Sequence, residues 1–437
     1  MASLSDPVAR SCLRKVAWRL LPLLFAMYVI AYLDRANAGF AKLQMETALG
    51  FSPRAFGLAL GLFYVGYLLL EIPGALFVEH WSARKWFARI LVTWGICSMG
   101  TALVTTEMEF YIARLLLGLA EAGFFPGVII YFTHWFPRTV RSRAMSGMLI
   151  GVPASLAFGA FASAILLRQD WLGLNGWQWV FILEGAPAVL LGILAPFLMT
   201  DRPRDAKWLT NEEREWLEAT LAEERRAMLA AGGTTRLRDA LRMPAVWFLA
   251  LGIFFTNLGG IGLVSWLASV VKGFLGKTAA GADDVEVLLW TGPVFLVGIL
   301  GVVFSGWHSN RNREWKWHCV TGQVCAGLFL ALSAIPDQPW MLRYTWLCLM
   351  GFFANAWFSP YWVLPTLALA SSAAAVSIGF INMSANIPGY LSNHIIGEMK
   401  GAGLSDSACM LFLAGGFLMG GVFVSRVPVK NRRTDPP

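Results

Sequence analysis

The chain has 437 residues, 57% of them hydrophobic and only 14% charged, with a formal net charge of +8. Soluble domains carry about 25% charged residues, so this composition excludes an ordinary water-solvated protein and points to a chain solvated by lipid. Its basic residues fall between apolar runs, so membrane topology accounts for them and no nucleic-acid partner is implied.

A membrane helix needs about 20 mostly apolar residues. Runs of that kind predict spans at 17–40, 55–78, 87–105, 109–133, 142–167 and 177–199. A second set follows at 245–271, 286–306, 317–335, 340–367, 374–397 and 405–426. The expected fold is an all-α integral membrane protein of twelve helices in two six-helix halves, 17–200 and 245–427. Residues 1–16, 201–244 and 428–437 form the N-terminal segment, the linker and the tail. The first run is too long for a cleavable signal peptide and reads as an uncleaved helix.

Lysine and arginine set the orientation. Arg10, Arg14, Lys15 and Arg19 lead into the first span, and Arg426, Lys430, Arg432 and Arg433 follow the last. Alternate loops carry Arg84, Lys85 and Arg89, then Arg138, Arg141 and Arg143, then Arg311, Arg313 and Lys316. The positive-inside rule places that side, with both termini, in the cytoplasm. Abundant Ala, Arg and Trp, with no glycosylation site in an outer loop, suggest a bacterial inner membrane. In the linker, Thr210 and Glu213 make a capping-box signature that opens a charged helix with Trp216, Leu217 and Leu221 on one stripe.

Four charges fall inside predicted spans: Asp34, Arg35, Arg114 and Glu121. A charge at the centre of a membrane helix costs about 2.5–3.5 kcal/mol on insertion scales, and such groups commonly mark a substrate or proton path. Asp34 and Arg35 are adjacent and point about 100° apart, while Arg114 and Glu121 lie about two turns apart on one face. A competing structural reading is a buried network pairing Asp34 with Arg114 and Arg35 with Glu121. The second half places no charge mid-span. Asn382 and Asn386 share a face at i,i+4, and Tyr361 and Trp362 sit between Pro360 and Pro365 as candidate cavity walls. No phosphate loop, nucleophile elbow or HExxH motif occurs, and the six cysteines form no CxxC. The expectation is no enzyme, no catalytic residue, no metal and no cofactor.

Several segments, in order, carry a resemblance: YLDRANAGFA (32–41), GYLLLEIPGALFVEHWSARKW (66–86), FYIARLLLGLAEAGFFP (110–126), GWQWVFILEGAPAVLLG (176–192), GWHSNRNREWKWH (306–318) and IGFINMSANIPGYLSNHIIG (378–397). The chain resembles the major facilitator superfamily and, within it, the anion:cation symporter family. The resemblance implies a carrier that rocks two halves around a midplane site and imports a small organic carboxylate with protons. It implies substrate contacts from Arg35, Arg114, Tyr32, Tyr67 and Asn382, with Asn386, Tyr361 and Trp362 nearby, and proton coupling by Asp34 and Glu121. Glu79, Arg84, Arg138, Arg143 and Arg311 would form a cytoplasmic gate, a weak one, since Asn310 stands where an acid is usual. The partners implied are the organic anion, protons and the lipid bilayer, and one chain carries a complete site, so a monomer suffices. Sodium coupling, anion exchange or a non-transporting anion sensor stay open. Relatives carry sugar acids, tartrate-like diacids, phthalate and hydroxyphenylacetate.

Overall fold

The computed structural model describes residues 6–230, 241–276, 283–369 and 371–429. The described residues are helical almost throughout, as lipid requires of backbone that has no water to bond. The first half contains α1 (Pro7–Leu49), α2 (Pro53–His80), α3 (Ala83–Gly100), α4 (Glu107–Glu121), α5 (Phe124–Trp135), α6 (Arg138–Leu149), α7 (Gly151–Leu166) and α8 (Gly176–Leu198). Helix α9 (Asn211–Ala230) lies in the linker. The second half contains α10 (Pro244–Leu275), α11 (Asp284–Asn312), α12 (Lys316–Ala334), α13 (Trp340–Ala356), α14 (Phe358–Tyr361), α15 (Leu364–Ala368), α16 (Ser371–Gly401) and α17 (Asp406–Ser425).

Among the described residues, ten helical stretches are long and apolar enough to cross a membrane; the broken segment 340–368 and α16 complete the twelve expected. Three expected spans are interrupted: 109–133 as α4–α5, 142–167 as α6–α7, and 340–367 as α13–α15. The first span also begins earlier than expected. Asp6 caps α1 by accepting from the Val8 amide at 2.9 Å, and Pro7 fits the first turn, so the helix starts ahead of its apolar stretch. Large apolar side chains such as Leu103, Phe158, Ile165 and Phe197 stand exposed on the outside, where lipid would cover them.

Each half is locked by a pair of glycines. A methyl on Gly118 of α4 would stand 2.0 Å from the Phe63 carbonyl of α2, and one on Gly66 would stand 2.4 Å from the Leu115 carbonyl. The second half repeats this: a methyl on Gly301 of α11 would stand 2.0 Å from the Phe352 carbonyl, and one on Gly351 of α13 would stand 2.4 Å from the Val294 carbonyl. Small residues let the backbones approach where lipid supplies no hydrophobic drive between helices.

The side carrying the linker is the linker side, and the opposite is the far side. On the far side, α2 and α16 run antiparallel in close register: Gly57 against Gly397, Gly61 against Tyr390, Tyr64 against Gly389. Arg54 and Glu398 pair across this seam at 3.2 Å. Beside it, Lys42 of α1 donates to Ser269 of α10 at 3.0 Å, and its ammonium lies 3.8 Å from the Trp266 ring centroid. The halves are therefore packed together on the far side.

The linker is tied to the first half. Thr210 and Glu213 form the capping box read from the sequence. Glu213 also accepts from Ser11 at 2.7 Å and from Lys15 at 2.8 Å. Burial by itself would raise this carboxyl; the donors Lys15, Ser11 and the Thr210 amide outweigh it and hold its pKa at about 2. At the other end of α9, Glu224 accepts from the Arg138 amide at 2.9 Å and pairs with Arg141 at 3.7 Å.

Candidate functional site

The site is built around Arg35, in the second half of α1. Its Nη2 and Nε both reach Oε1 of Glu121, at 2.6 and 2.7 Å. The guanidinium is surrounded by rings, with centroids of Tyr67, Tyr32 and Phe63 at 4.9, 5.1 and 5.6 Å. Such rings stabilise a cation through their faces without competing for its N–H donors. The second oxygen of Glu121 is buried and has no hydrogen-bond partner among the described residues. Arg35 is thus a cation set among rings, with its Nη2 and Nε donors held by one oxygen atom.

Glu121 occupies this position because its helix ends there. Gly123 takes φ 84°, in the left-handed region that glycine tolerates, and Pro126 lacks an amide to continue a regular ladder. The break leaves Glu121 as the last residue of α4 and turns Phe124 and Phe125, at the start of α5, onto a central cavity.

Asp34, one residue from Arg35, faces the other way. It accepts from Ser98 at 2.7 Å, from Asn37 at 3.1 Å and from the indole N–H of Trp94. Arg114 is buried with its Cζ 5.2 Å from the Phe63 centroid, and its Nε and Nη1 have no partner among the described residues. The expected network is therefore half present: Arg35 pairs with Glu121, but Asp34 takes neutral donors from α1 and α3 instead of Arg114. Three short-range donors already occupy its oxygens. The Phe63 ring lies near both guanidinium groups, its centroid 5.6 Å from the Arg35 Cζ and 5.2 Å from that of Arg114.

The cavity between the halves encloses about 550 Å³, its open mouth included. Of the residues expected at the substrate site, Tyr32, Arg35, Tyr67, Trp362, Asn382 and Asn386 line it. Arg114 lies behind the wall, against Phe63. Tyr361 is a correction: it is fully buried, and its hydroxyl donates to the Leu249 carbonyl at 2.6 Å, bracing α14 against α10 rather than facing the cavity. The adjacent Trp362 is turned inward instead. Asn386 donates to the carbonyl of Asn382 at 3.2 Å, and Asn382 donates to Glu71 of α2. Tyr28, Phe124 and Phe125 line the cavity and were missed. Tyr28 was legible as one turn below Tyr32; the two phenylalanines depended on the helix break.

The expected gate residues have other partners in this conformation. Arg84 pairs with Asp201 at 3.2 Å, and the Arg138 amide donates to Glu224, so both fasten the linker segment to the first half. Arg311 lies over Trp307 of its own helix at 5.4 Å. The side chains of Glu79 and Arg143 lie outside the described residues.

Residues 24–392 match the family described as the Major Facilitator Superfamily. The chain belongs to this superfamily. A relative from Agrobacterium vitis named for tartrate transport is 37% identical over 413 residues, covering 94% of this chain and 90% of its own. A quinolone resistance transporter from Acinetobacter baumannii is 32% identical over 425 residues, covering 97% of this chain and 96% of its own. The inward-open xylose transporter XylE from E. coli superposes with a TM-score of 0.73 at 15% identity, over 95% of this chain and 98% of that one, a likeness of fold. Membership of the superfamily makes this a membrane-spanning transporter of a small molecule and not an enzyme.

Proposed function

We propose that the chain imports a small organic carboxylate by proton symport, by alternating access, in a bacterial inner membrane with both termini cytoplasmic. The observation that carries this reading is the Arg35–Glu121 pair on the cavity wall. Two guanidinium N–H groups converge on one oxygen, in a setting a substrate carboxylate can also satisfy. Substrate and Glu121 compete for the same donors. A proton on Glu121 removes its charge and releases Arg35 to the incoming anion. Removing the anion restores the pair and expels the proton.

Asp34 is a second acid for the same cycle, held by its donors within the first half. Arg114, buried with unpaired donors, supports the positive character of this wall and takes a substrate oxygen when Phe63 shifts. Tyr32 and Tyr67 hold Arg35 in place. Asn382, Asn386 and Trp362 supply neutral contacts from the second half. The name of the Agrobacterium relative makes tartrate the first candidate.

The test is uptake into proteoliposomes under an inward proton gradient, with radiolabelled tartrate first and then other carboxylates, against neutral and cationic analogues. Accumulation of an acid that collapses with a protonophore is expected. Accumulation driven by a sodium gradient alone, or of neutral or cationic solutes alone, would overturn the reading.

A further inference from the structure

Glu71 is a buried acid that the cycle above does not use. It lies on α2 one turn beyond Tyr67, and its Oε1 accepts from the Asn382 side chain of α16. That bond crosses between the halves. It continues the α2–α16 seam inward from Gly57–Gly397, Gly61–Tyr390 and Tyr64–Gly389, and it borders the cavity through Asn382. The other oxygen of Glu71 is buried with no partner among the described residues.

The neighbours define the electrostatic setting. Helix α1 presents Arg35, α4 presents Arg114 and Glu121, and α2 itself presents Tyr64 and Tyr67. Helix α5 brings the apolar rings Phe124 and Phe125, and α16 brings the neutral amides Asn382 and Asn386. On α3, Arg89 is engaged with the Ala120 carbonyl at 3.2 Å. No cation among these bonds to Glu71, although the charge of Arg35 acts on it through space, and among the described residues its one donor comes from the opposite half.

The halves of a carrier move against each other, and α2 must part from α16 on the far side for that side to open. Movement along this seam strains or breaks the Glu71–Asn382 bond. An ionised carboxylate that loses its only donor inside the bilayer is strongly disfavoured, while a neutral acid is not. We propose that Glu71 is a further coupling acid, beside Glu121 and Asp34, placed across the halves: it takes a proton from the aqueous cavity before reorientation and returns it to water on the other side. The proposal rests on the proton-symport reading and adds one proton to each cycle.

The experiment measures steady-state accumulation of radiolabelled tartrate, or of whichever acid accumulates in the screen, at a fixed gradient of one pH unit and zero membrane potential. Steady-state accumulation depends on stoichiometry and not on rate, so partial loss of active protein does not imitate the effect. Removing one coupled proton lowers the limit by one pH unit's worth of driving force, about tenfold. Glu71→Gln, whose carbonyl still accepts from Asn382, is expected to show that tenfold fall while retaining counterflow exchange. Glu71→Asp, which still titrates, is expected to keep the wild-type ratio. If Glu71→Gln accumulates as wild type does, Glu71 is a hydrogen-bond acceptor only; if Glu71→Asp falls as Glu71→Gln does, the position needs the full glutamate side chain and not a titrating group; either result overturns the proposal. A wild-type protein indifferent to the pH gradient would overturn both the symport reading and this one, whereas a proton-driven wild type with an unaffected Glu71→Gln variant overturns this one alone.

Discussion

The two halves share a scaffold and differ in charge. In the first, α1 meets α3 through a buried acid, Asp34, surrounded by Ser98, Trp94 and Asn37. In the second, α10 meets α12 through a neutral bond, Gln323 donating to Thr256 at 2.8 Å. The first half also buries Glu71, Arg114, Glu121 and Glu184. The second buries mainly hydroxyls and amides, with Arg343 set near the far side over Phe274 at 4.0 Å. Both halves carry the same glycine interlock. The fold evidently does not require buried charge, since the second half is built without it at midplane depth. The charge in the first half is retained at a cost, which is the physical argument for its use in transport.

That comparison can be broken in a graded way. The largest effects are structural and should be equal in the two halves. Gly118→Ala and Gly301→Ala each drive a methyl into a carbonyl and should each cost roughly 3 kcal/mol, read as matched losses of thermal stability in detergent. Unequal losses would mean that the scaffolds are not equivalent. The next effect should be lopsided: Arg35→Ala should lower uptake by about 100-fold, as expected for losing charge-assisted bonds worth about 1.5–3 kcal/mol, with membrane insertion unchanged. Asn386→Ala in the second half should lower uptake by only about fivefold, the value of one neutral hydrogen bond of about 1 kcal/mol. If the two variants were equally impaired, recognition would not be concentrated in the first half. A smaller effect separates packing from binding: Tyr361→Phe should cost about 1 kcal/mol of stability and leave substrate preference unaltered. A change in preference would return Tyr361 to the cavity wall.

The smallest effect is on pH. Glu213 has its folded pKa depressed to about 2, below an unfolded value of about 4.3. Its contribution to docking α9 is fully present above the unfolded value and is lost as pH falls from there through about 2. Hydrogen exchange of α9 amides should accordingly hold steady, after correction for intrinsic rates, from neutral pH down to about pH 4, then loosen. Glu213→Gln should abolish that dependence, and a variant with the same pH profile as wild type would refute the assignment.

Much of the fold was legible because lipid imposes one rule on every span: enough apolar length, with polar groups satisfied internally. That rule found twelve segments, and the Thr210–Glu213 capping box, a separate signal, found the linker helix. It did not reveal the interruptions, because Gly123 and the prolines of 360–365 act locally while the apolar count runs on through them. In the site, Arg35 was readable as a charge in an apolar span and Trp362 as an aromatic side chain between prolines, while Tyr32 and Tyr67 were legible only through the family resemblance. The direction of each side chain was not. Adjacent Asp34 and Arg35 have different partners, and adjacent Tyr361 and Trp362 face opposite ways, because a step of one residue turns a helix by about 100°. Which side meets the cavity is decided by helix packing that no short motif encodes.

The linker has a consequence for how the chain is joined. Its described part is anchored to the first half at Asp201, Glu213 and Glu224, while the halves meet through their own helix seams. Those seams hold the halves in register without calling on the chain connection. A chain divided within 231–240, expressed as two polypeptides in one cell, should assemble into the same carrier.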